Sequence, residues 1–156
     1  YGSLVHQILE TGATATSPTD TQTMQAAKAE AAAILKDQQL GHLFAPDTLA
    51  EVSLSAEVNG TRLHGAIDRL IFQGNTILAV DFKTNRVVPT TPAACPDGLL
   101  RQMGAYALML NQIYPDHTVE TAILWTTTRE LMVLPHDIVS SAAKTALELD
   151  DAATHT

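Results

Sequence analysis

Cysteine, aromatic residues and long apolar runs are all scarce in this sequence, and each shortage excludes a class of protein. The single cysteine, Cys95, rules out an internal disulfide framework and any iron–sulfur or zinc site built from four cysteines. We therefore expect a reducing, cytoplasmic setting. No apolar run approaches the roughly 20 residues that a membrane helix needs, so no membrane association is expected. Aromatic residues make up only 4% of the chain, yet its apolar fraction of 46% is that of a globular domain.

Basic residues are scarce as well. Nine lysines and arginines face 17 acidic residues, which gives a formal net charge of −8. Affinity for nucleic acid comes from neutralising phosphates with basic side chains, so this balance argues against a chain that binds nucleic acid strongly on its own. The location of the basic residues matters as well as the net charge, because five of the nine fall between positions 62 and 101. They are Arg62, Arg69, Lys83, Arg86 and Arg101.

Residue spacing divides the chain into helices and strands. Helices are predicted over residues 1–10, 20–36, 97–113 and 136–149, with one further turn of helix over 47–50. Strands are predicted over residues 52–58, 61–72, 76–83, 118–125 and 130–134, with tight turns at 59–60 and 74–75. This order predicts an α/β fold in which a mixed β-sheet is flanked by helices. The 156 residues fit one domain, and the start at Tyr1 and the polar tail 150–156 suggest a piece of a longer polypeptide.

The second predicted hairpin brings two carboxylates together. With a two-residue turn at 74–75, Asp68 and Asp81 would be directly opposite, with Cβ atoms about 4.5–5.5 Å apart. Lys83, two residues further on, would point to the same face. Like charges in this position favour a cation between them, such as Mg²⁺ or Mn²⁺, or a proton on one of them. The alternative is a slipped register, in which both are solvated edge charges. The other face would carry apolar residues: Ile67, Ile71, Leu78, Val80 and Phe82.

Other polar residues on predicted helices have two possible interpretations. A lone histidine such as His6 is more often a core or surface residue than a ligand, although Glu10 on the same helical face could orient it. Gln102 and Tyr106 share a face of the long helix, and such stripes usually belong to the core. A site-facing edge is the alternative. On the first strand, Glu51 or Glu57 could assist a second metal, although an exposed strand glutamate is usually only solvated.

Four short motifs in order resemble the RecB-like branch of the PD-(D/E)XK nuclease superfamily. Residues 65–70 read GAIDRL, like its G-x-x-D-R motif, and residues 81–84 read DFKT, like its D-F/Y-K-T motif. Residues 102–106 read QMGAY, like Q-x-x-x-Y, and residues 2–6 read GSLVH, like G-x-x-x-H. The motifs cover residues 2–106. Residues 68–70 (DRL) and 81–86 (DFKTNR) are most similar to the C-terminal nuclease domain of the AddA subunit of bacterial AddAB helicase–nucleases.

The resemblance implies a restriction-endonuclease-like fold and a Mg²⁺- or Mn²⁺-dependent deoxyribonuclease of exonuclease type. It implies that the metal is bound by His6, Asp68, Asp81 and the main-chain carbonyl of Phe82, and that Lys83 positions the attacking water. Gln102 and Tyr106 would support the site or the DNA strand, and the same expectation extends to the nearby arginines, which are Arg69, Arg86 and Arg101. Related nucleases that hold an iron–sulfur cluster use four cysteines, so that subtype is excluded here.

The same resemblance implies a setting and partners. The domain would be the C-terminal part of a bacterial, nucleoid-associated helicase–nuclease that acts in DNA repair and recombination, with single-stranded DNA delivered by the helicase and an AddB-like second subunit. One rival is a degenerate nuclease fold that binds DNA or a partner without cutting, which the presence of Asp68, Asp81 and Lys83 opposes. Another is a metal-binding regulatory domain of unrelated fold, which leaves the motif from Gln102 to Tyr106 unexplained. An enzyme with a catalytic nucleophile is disfavoured, because Cys95 lies in a proline-rich loop without a neighbouring histidine and the sequence has no G-x-S-x-G motif.

Overall fold

A computed structural model describes residues 1–154, and their side chains except those of 146 and 148–154. The helices are α1 (Gly2–Thr11), α2 (Gln22–Lys36), α3 (Asp97–Ile113) and α4 (His136–Thr154). The strands are β1 (Leu49–Val58), β2 (Thr61–Gln73), β3 (Thr76–Lys83), β4 (Thr118–Trp125) and β5 (Glu130–Leu134). No helix among the described residues is both long enough and apolar enough to cross a membrane.

The five strands form one mixed sheet in the order β1-β2-β3-β4-β5. The first three are an antiparallel meander, β4 runs parallel to β3 after the crossover through α3, and β5 returns antiparallel to β4. The crossover places the C-terminal ends of β3 and β4 side by side at one edge of the sheet. The predicted α/β fold with a mixed sheet between helices is confirmed.

Two apolar clusters cover the two faces of the sheet. One packs α3 and the start of α4 against the first face, with Met103, Leu110, Ile123 and Trp125 fully buried. The other packs α1 and α2 against the opposite face. Helix α1 ends where Gly12 adopts a left-handed conformation (φ 71°) that favours glycine. Thr21 caps the start of α2, because its side chain accepts the Met24 N–H.

Three details of the sequence prediction are wrong. The expected helical turn over 47–50 is the start of β1, because Leu49 and Ala50 pair with Leu70 and Arg69 across the sheet. A short 3-10 helix, Gly41–Phe44, precedes it instead. Helix α4 continues to Thr154, through most of the expected polar tail, and the last two residues of that tail lie outside the described residues.

Candidate active site

The predicted register of the β2–β3 hairpin is confirmed from Gln73–Thr76 to Arg69–Val80. The next step in this register is Asp68 beside Asp81, and there the backbone ladder stops. The Asp68 carboxylate replaces the missing backbone acceptor, because its Oδ2 accepts the backbone N–H of Phe82 at 2.8 Å. The two acidic residues therefore lie close together at the open end of the hairpin, where the Asp68 side chain takes part in the pairing of the two strands.

The interruption changes which face each neighbouring residue occupies. Ile67 packs in the cluster with α3, together with Leu70, and not with Ile71 on the opposite face as predicted. The alternation of β2 shifts by one residue at Asp68, where the ladder with β1 is also broken. Facing this break on β1, Glu51 has a left-handed backbone (φ 46°), which a non-glycine residue adopts only at a cost of about 1–3 kcal/mol.

Asp81 and Lys83 form the buried side of the site. The side chain of Asp81 is 6% exposed, and Lys83 Nζ lies 3.1 Å from its Oδ2. That oxygen is nevertheless buried without a well-directed hydrogen bond among the described residues, so the contact with Lys83 is an ion pair of poor hydrogen-bond geometry. Such an oxygen is costly to bury, and a cation that approaches it would recover the lost interaction.

Asp68 has a strongly perturbed acidity. Burial is the largest cause, and it acts with the charge and side chain of Asp81 to raise the pKa of Asp68 to about 7. The N–H of Phe82 and the charge of Lys83 act in the opposite direction. Two carboxyl groups this close cannot both be ionised cheaply, so the pair holds either a proton or a cation near neutral pH.

His6 reaches the same place from α1. Its Nδ1 lies 3.8 Å from Asp68 Oδ1, and its ring meets the Phe82 ring edge to face at 5.7 Å between centroids. Burial lowers the pKa of His6, while the charge of Asp81 and a hydrogen bond to the backbone of Phe82 oppose that effect. The imidazole is therefore biased toward the neutral form, which is the form that binds metals.

These groups fit a divalent cation in part. Asp68 and Asp81 supply hard oxygen ligands, one of which lacks a hydrogen bond among the described residues, and the backbone of Phe82 contacts both Asp68 and His6. Among the residues that the structure describes, however, no three histidine, cysteine or acidic side chains converge into a complete binding group.

A second carboxylate pair, Glu10 and Glu51, lies beside His6 and was not predicted from the sequence. Burial is the largest cause that raises the pKa of Glu10, followed by the side chain and the charge of Glu51, and the charge of Arg69 lowers it. The expected role of Glu10 was to orient His6, but its described neighbours are Glu51 and Arg69. The backbone of Glu51 is left-handed at this point, a feature for which the sequence carries no signal. Glu57 lies instead near the distal β1–β2 turn.

Gln102 and Tyr106 meet the site from α3. Gln102 Nε2 donates to the Tyr106 hydroxyl at 2.7 Å, and that hydroxyl donates to the carbonyl of Ala66 at 2.9 Å, two residues before Asp68. Burial and the charges of Asp81 and Asp68 raise the pKa of Tyr106 to about 12, so it remains a hydrogen-bond donor. Gly65 leaves room for this ring, because a Cβ there would lie 2.6 Å from Tyr106 Cε1.

The arginines occupy different environments. Arg69 is 8% exposed, its Nε donates to the Leu43 carbonyl and Thr48 Oγ1, and its guanidinium lies 5.2 Å from the centre of the Phe44 ring. Arg86 and Arg101 are exposed, on the loop after β3 and near the start of α3. Arg62 lies at the far end of the β1–β2 ribbon, 3.9 Å from Glu57, and is not part of the site.

A cavity of about 520 Å³ lies at the opposite end of the sheet, between α3, α4 and the start of β4. None of the predicted site residues lines it. Its polar lining includes His117, Thr121 and His136, and no lysine or arginine contributes in the described part of the chain. The cavity therefore lacks the cationic groups that a phosphodiester requires, and the carboxylate site is the better candidate for chemistry.

Comparison with known proteins identifies the family of the chain. The sequence model of the PD-(D/E)XK nuclease superfamily matches residues 1–155. The chain therefore belongs to the PD-(D/E)XK nuclease superfamily, whose members generally use divalent metal ions such as Mg²⁺. No protein with a curated description matches the chain.

Solved structures support the fold. A crystal structure of a candidate exonuclease from Eubacterium rectale superposes with a TM-score of 0.65 at 13% identity, over 92% of this chain. The chain spans 61% of the length of that protein. The structure of SSO0001 covers 94% of this chain and 85% of its own at 13% identity, but its TM-score of 0.43 is too low to carry an argument. At these identities the likeness shows the restriction-endonuclease-like fold alone.

Proposed function

We propose that this chain is a metal-dependent DNA nuclease that hydrolyses phosphodiester bonds at the site formed by Asp68, Asp81 and Lys83. The observation that carries the proposal is the buried carboxylate pair at the open end of the β2–β3 hairpin, with a lysine ammonium 3.1 Å from one of its oxygens. Lys83 offsets the charge of this pair only in part, and two carboxylates placed together destabilise a fold. This cost is accounted for if a divalent cation completes the site.

The residues proposed to hold the cation are Asp68, Asp81, His6 and the main-chain carbonyl of Phe82. A bound Mg²⁺ or Mn²⁺ would supply charge stabilisation to the scissile phosphate and lower the pKa of a water molecule. Asp68 is tied to the Phe82 N–H, so the hairpin itself fixes the spacing between both carboxylates and the carbonyl. The neutral form of His6, which burial favours, provides a lone pair without adding positive charge.

Lys83 is proposed to orient the attacking water and to stabilise the negative charge that develops on the phosphate. It is the basic group closest to the carboxylates, and its side chain is one-third exposed, which leaves it open to a substrate. Its ion pair with Asp81 keeps the ammonium at the site before substrate arrives. Because Asp81 lies two residues earlier on the same strand, both side chains share a face of β3.

Three further groups are proposed to support the site or the DNA. Gln102 and Tyr106 hold the carbonyl of Ala66 and so fix the strand just before Asp68. Arg69 is assigned to site support, because its buried guanidinium is committed to Leu43, Thr48 and the Phe44 ring. Arg86 and Arg101 are exposed and are assigned to the DNA backbone.

We further propose an exonuclease-type activity within an AddA-like helicase–nuclease that acts in double-strand break repair and recombination in the bacterial cytoplasm. This setting is supported by the residues of the motifs around Asp68 and Asp81, together with the net charge of −8. An acidic domain with two exposed arginines near its site would bind DNA weakly by itself. Delivery of single-stranded DNA by a helicase, with an AddB-like second subunit, would supply the missing affinity.

The direct test is cleavage of end-labelled single-stranded DNA by this chain with Mg²⁺ or Mn²⁺. We expect cutting that EDTA abolishes, that Asp81→Ala abolishes, and that Asp116→Asn, an exposed acidic control at the other end of the sheet, leaves unchanged. If no cutting occurs, calorimetry with Mn²⁺ decides: binding that Asp81→Ala removes would indicate a competent site without DNA delivery. Absence of both cutting and Mn²⁺ binding would refute the proposal in favour of a degenerate nuclease fold.

A further inference from the structure

Thr126, the first residue after β4, contacts the backbone from which the Lys83 side chain projects. The residue is 1% exposed, and its N–H donates to the Lys83 carbonyl at 2.9 Å, which continues the parallel ladder in which Trp125 pairs with Lys83. Its hydroxyl lies 3.2 Å from the same carbonyl and 2.8 Å from Glu30 Oε2 on α2. A helix, a strand end and the lysine backbone therefore converge on one buried hydroxyl.

The direction of that hydroxyl bond can be assigned. Threonine has a single hydroxyl proton, so it donates to only one of its two acceptors at full strength. The shorter contact, and the one to an ionised carboxylate, is with Glu30, and such charge-assisted bonds are roughly twice as strong as neutral ones. Glu30 Oε1 also accepts from the Tyr1 hydroxyl at 3.1 Å, so both of its oxygens are engaged.

We propose that Glu30 and Thr126 are positioning residues for Lys83, an inference that rests on the proposed nuclease function. Neither side chain lies among the groups assigned to the metal or the DNA. Their bond fixes the loop after β4 against α2, and this loop holds the Lys83 carbonyl through Thr126 and lies close to the Thr84 carbonyl through Thr127 Oγ1 at 3.4 Å. The long, flexible stem of Lys83 can keep its ammonium in place only if the backbone at its root is held.

A simple anchoring of α2 is the competing explanation, and the chain offers a matched control for it. Lys28 lies on the same helix and ties it to the preceding loop, with Nζ 2.8 Å from Asp20 Oδ2 and 2.9 Å from the Ala15 carbonyl. This anchor is part-buried like that of Glu30 but does not involve β3 or β4. Lys28→Met should therefore cost stability without changing the turnover of the enzyme.

The kinetic test compares Thr126→Val and Glu30→Ala with wild type on single-stranded DNA. We expect kcat to fall about tenfold, less than the 100-fold that a displacement of roughly 1 Å can cause, with KM unchanged within about twofold. The double variant should lose no more than either single one, and Thr126→Ser and Glu30→Gln, which retain hydrogen-bonding groups, should restore most of kcat. In a Lys83→Met background, Thr126→Val should have no further effect. An equal loss of kcat in that background would overturn the proposal.

A second readout does not require activity. Lysine labelled with ¹³C at Cε gives one NMR signal for each of four residues, which are Lys28, Lys36, Lys83 and Lys144. In the metal-free protein, Thr126→Val should shift the Lys83 signal more than the others, whereas Lys28→Met should leave it in place. This outcome would support the positioning role even if wild type cut no DNA, a failure that belongs to the proposed function. A Lys83 signal unmoved by Thr126→Val would refute the positioning role whatever the activity.

Discussion

The two ends of the β2–β3 hairpin differ in backbone pairing, in the charges that they bury and in backbone strain. At the turn end, Gln73 pairs with Thr76 across a two-residue turn, Gly74 takes the left-handed conformation, and regular backbone pairing continues as far as Arg69 and Val80. At the open end the ladder stops, two carboxylates meet in a mostly buried setting, and Glu51 on the neighbouring strand has a strained backbone.

The difference shows which end serves stability and which serves chemistry. At the turn end, the turn residues and the alternation of side chains along the strands favour the same structure. Such consistency is expected where a segment contributes to folding alone. At the open end, burial, like charge and backbone strain all oppose folding. Local rules are broken in this way mainly at functional sites, where binding of a ligand or ion recovers the cost. Substitutions at the two ends should therefore separate activity from stability.

The largest expected effect is on catalysis at the open end. Lys83→Met removes the ammonium beside Asp81 while keeping the apolar stem, and should lower the rate of DNA cleavage about 100- to 1,000-fold, the usual cost of losing one group that stabilises transition-state charge. Gln73→Ala at the turn end should leave that rate within twofold. Single-turnover cleavage of labelled single-stranded DNA measures both. Equal rates for Lys83→Met and wild type would remove lysine from the proposed mechanism.

A pair of glycines provides the next largest contrast. Gly65→Ala places a Cβ 2.6 Å from the Tyr106 ring, which must move away from the Ala66 carbonyl, and we expect a loss of about 1–3 kcal/mol in the free energy of unfolding together with lower activity. Gly74→Ala meets open space but strains a positive φ of 59°, so it should cost about 1 kcal/mol and leave activity unchanged. Urea unfolding and cleavage assays on both variants provide the comparison. Full activity in Gly65→Ala would show that Tyr106 does not fix the strand before Asp68.

The sequence predicts the regular parts of this contrast and not the irregular ones. The bounds of β3, α3, β4 and β5 agree with the spacing of apolar residues, because breakers such as Gly74, Pro96 and Pro115 separate clean periodic segments. The hairpin register follows from the turn length alone. The shift of alternation at Asp68 could not be predicted, since it depends on a carboxylate replacing a backbone group in the ladder.

Contacts between distant parts of the chain were beyond prediction for a related reason. Glu30 and Thr126 are separated by 96 positions, and neither lies in a motif. The Q-x-x-x-Y motif identified Gln102 and Tyr106. The group that accepts the Tyr106 hydrogen bond, the carbonyl of Ala66, is a backbone group that carries no sequence signal. The motif assigned Arg69 to DNA binding or site support. The structure shows that Arg69 is buried and that its guanidinium packs against Phe44 of the 3-10 helix, a contact that the sequence does not indicate.

The least direct expected effect is on the pH dependence of stability without metal. The folded pKa of Asp68 is raised to about 7 from an ordinary value of 3.8, so between these two values the folded state holds the proton and the unfolded state does not. The contribution of Asp68 to stability therefore falls as pH rises from about 4 to 7, by at most about 1.4 kcal/mol per pH unit. The lowered pKa of His6 acts in the opposite direction at pH values below its ordinary pKa of 6.5, which makes a difference measurement necessary.

Asp68→Asn isolates that contribution, because the amide oxygen can still accept the Phe82 N–H but carries no charge. In EDTA, the mutant should gain stability relative to wild type between pH 5 and pH 8, as measured by urea unfolding at each pH. Asp116→Asn, far from the site and exposed, should show no such gain. Addition of Mn²⁺ at pH 8 should stabilise wild type more than Asp68→Asn, since a cation replaces the proton between the carboxylates. If the two proteins had parallel pH profiles in EDTA, the carboxylate pair would not be the source of strain at the open end, and the contrast between the two ends would rest on Glu51 alone.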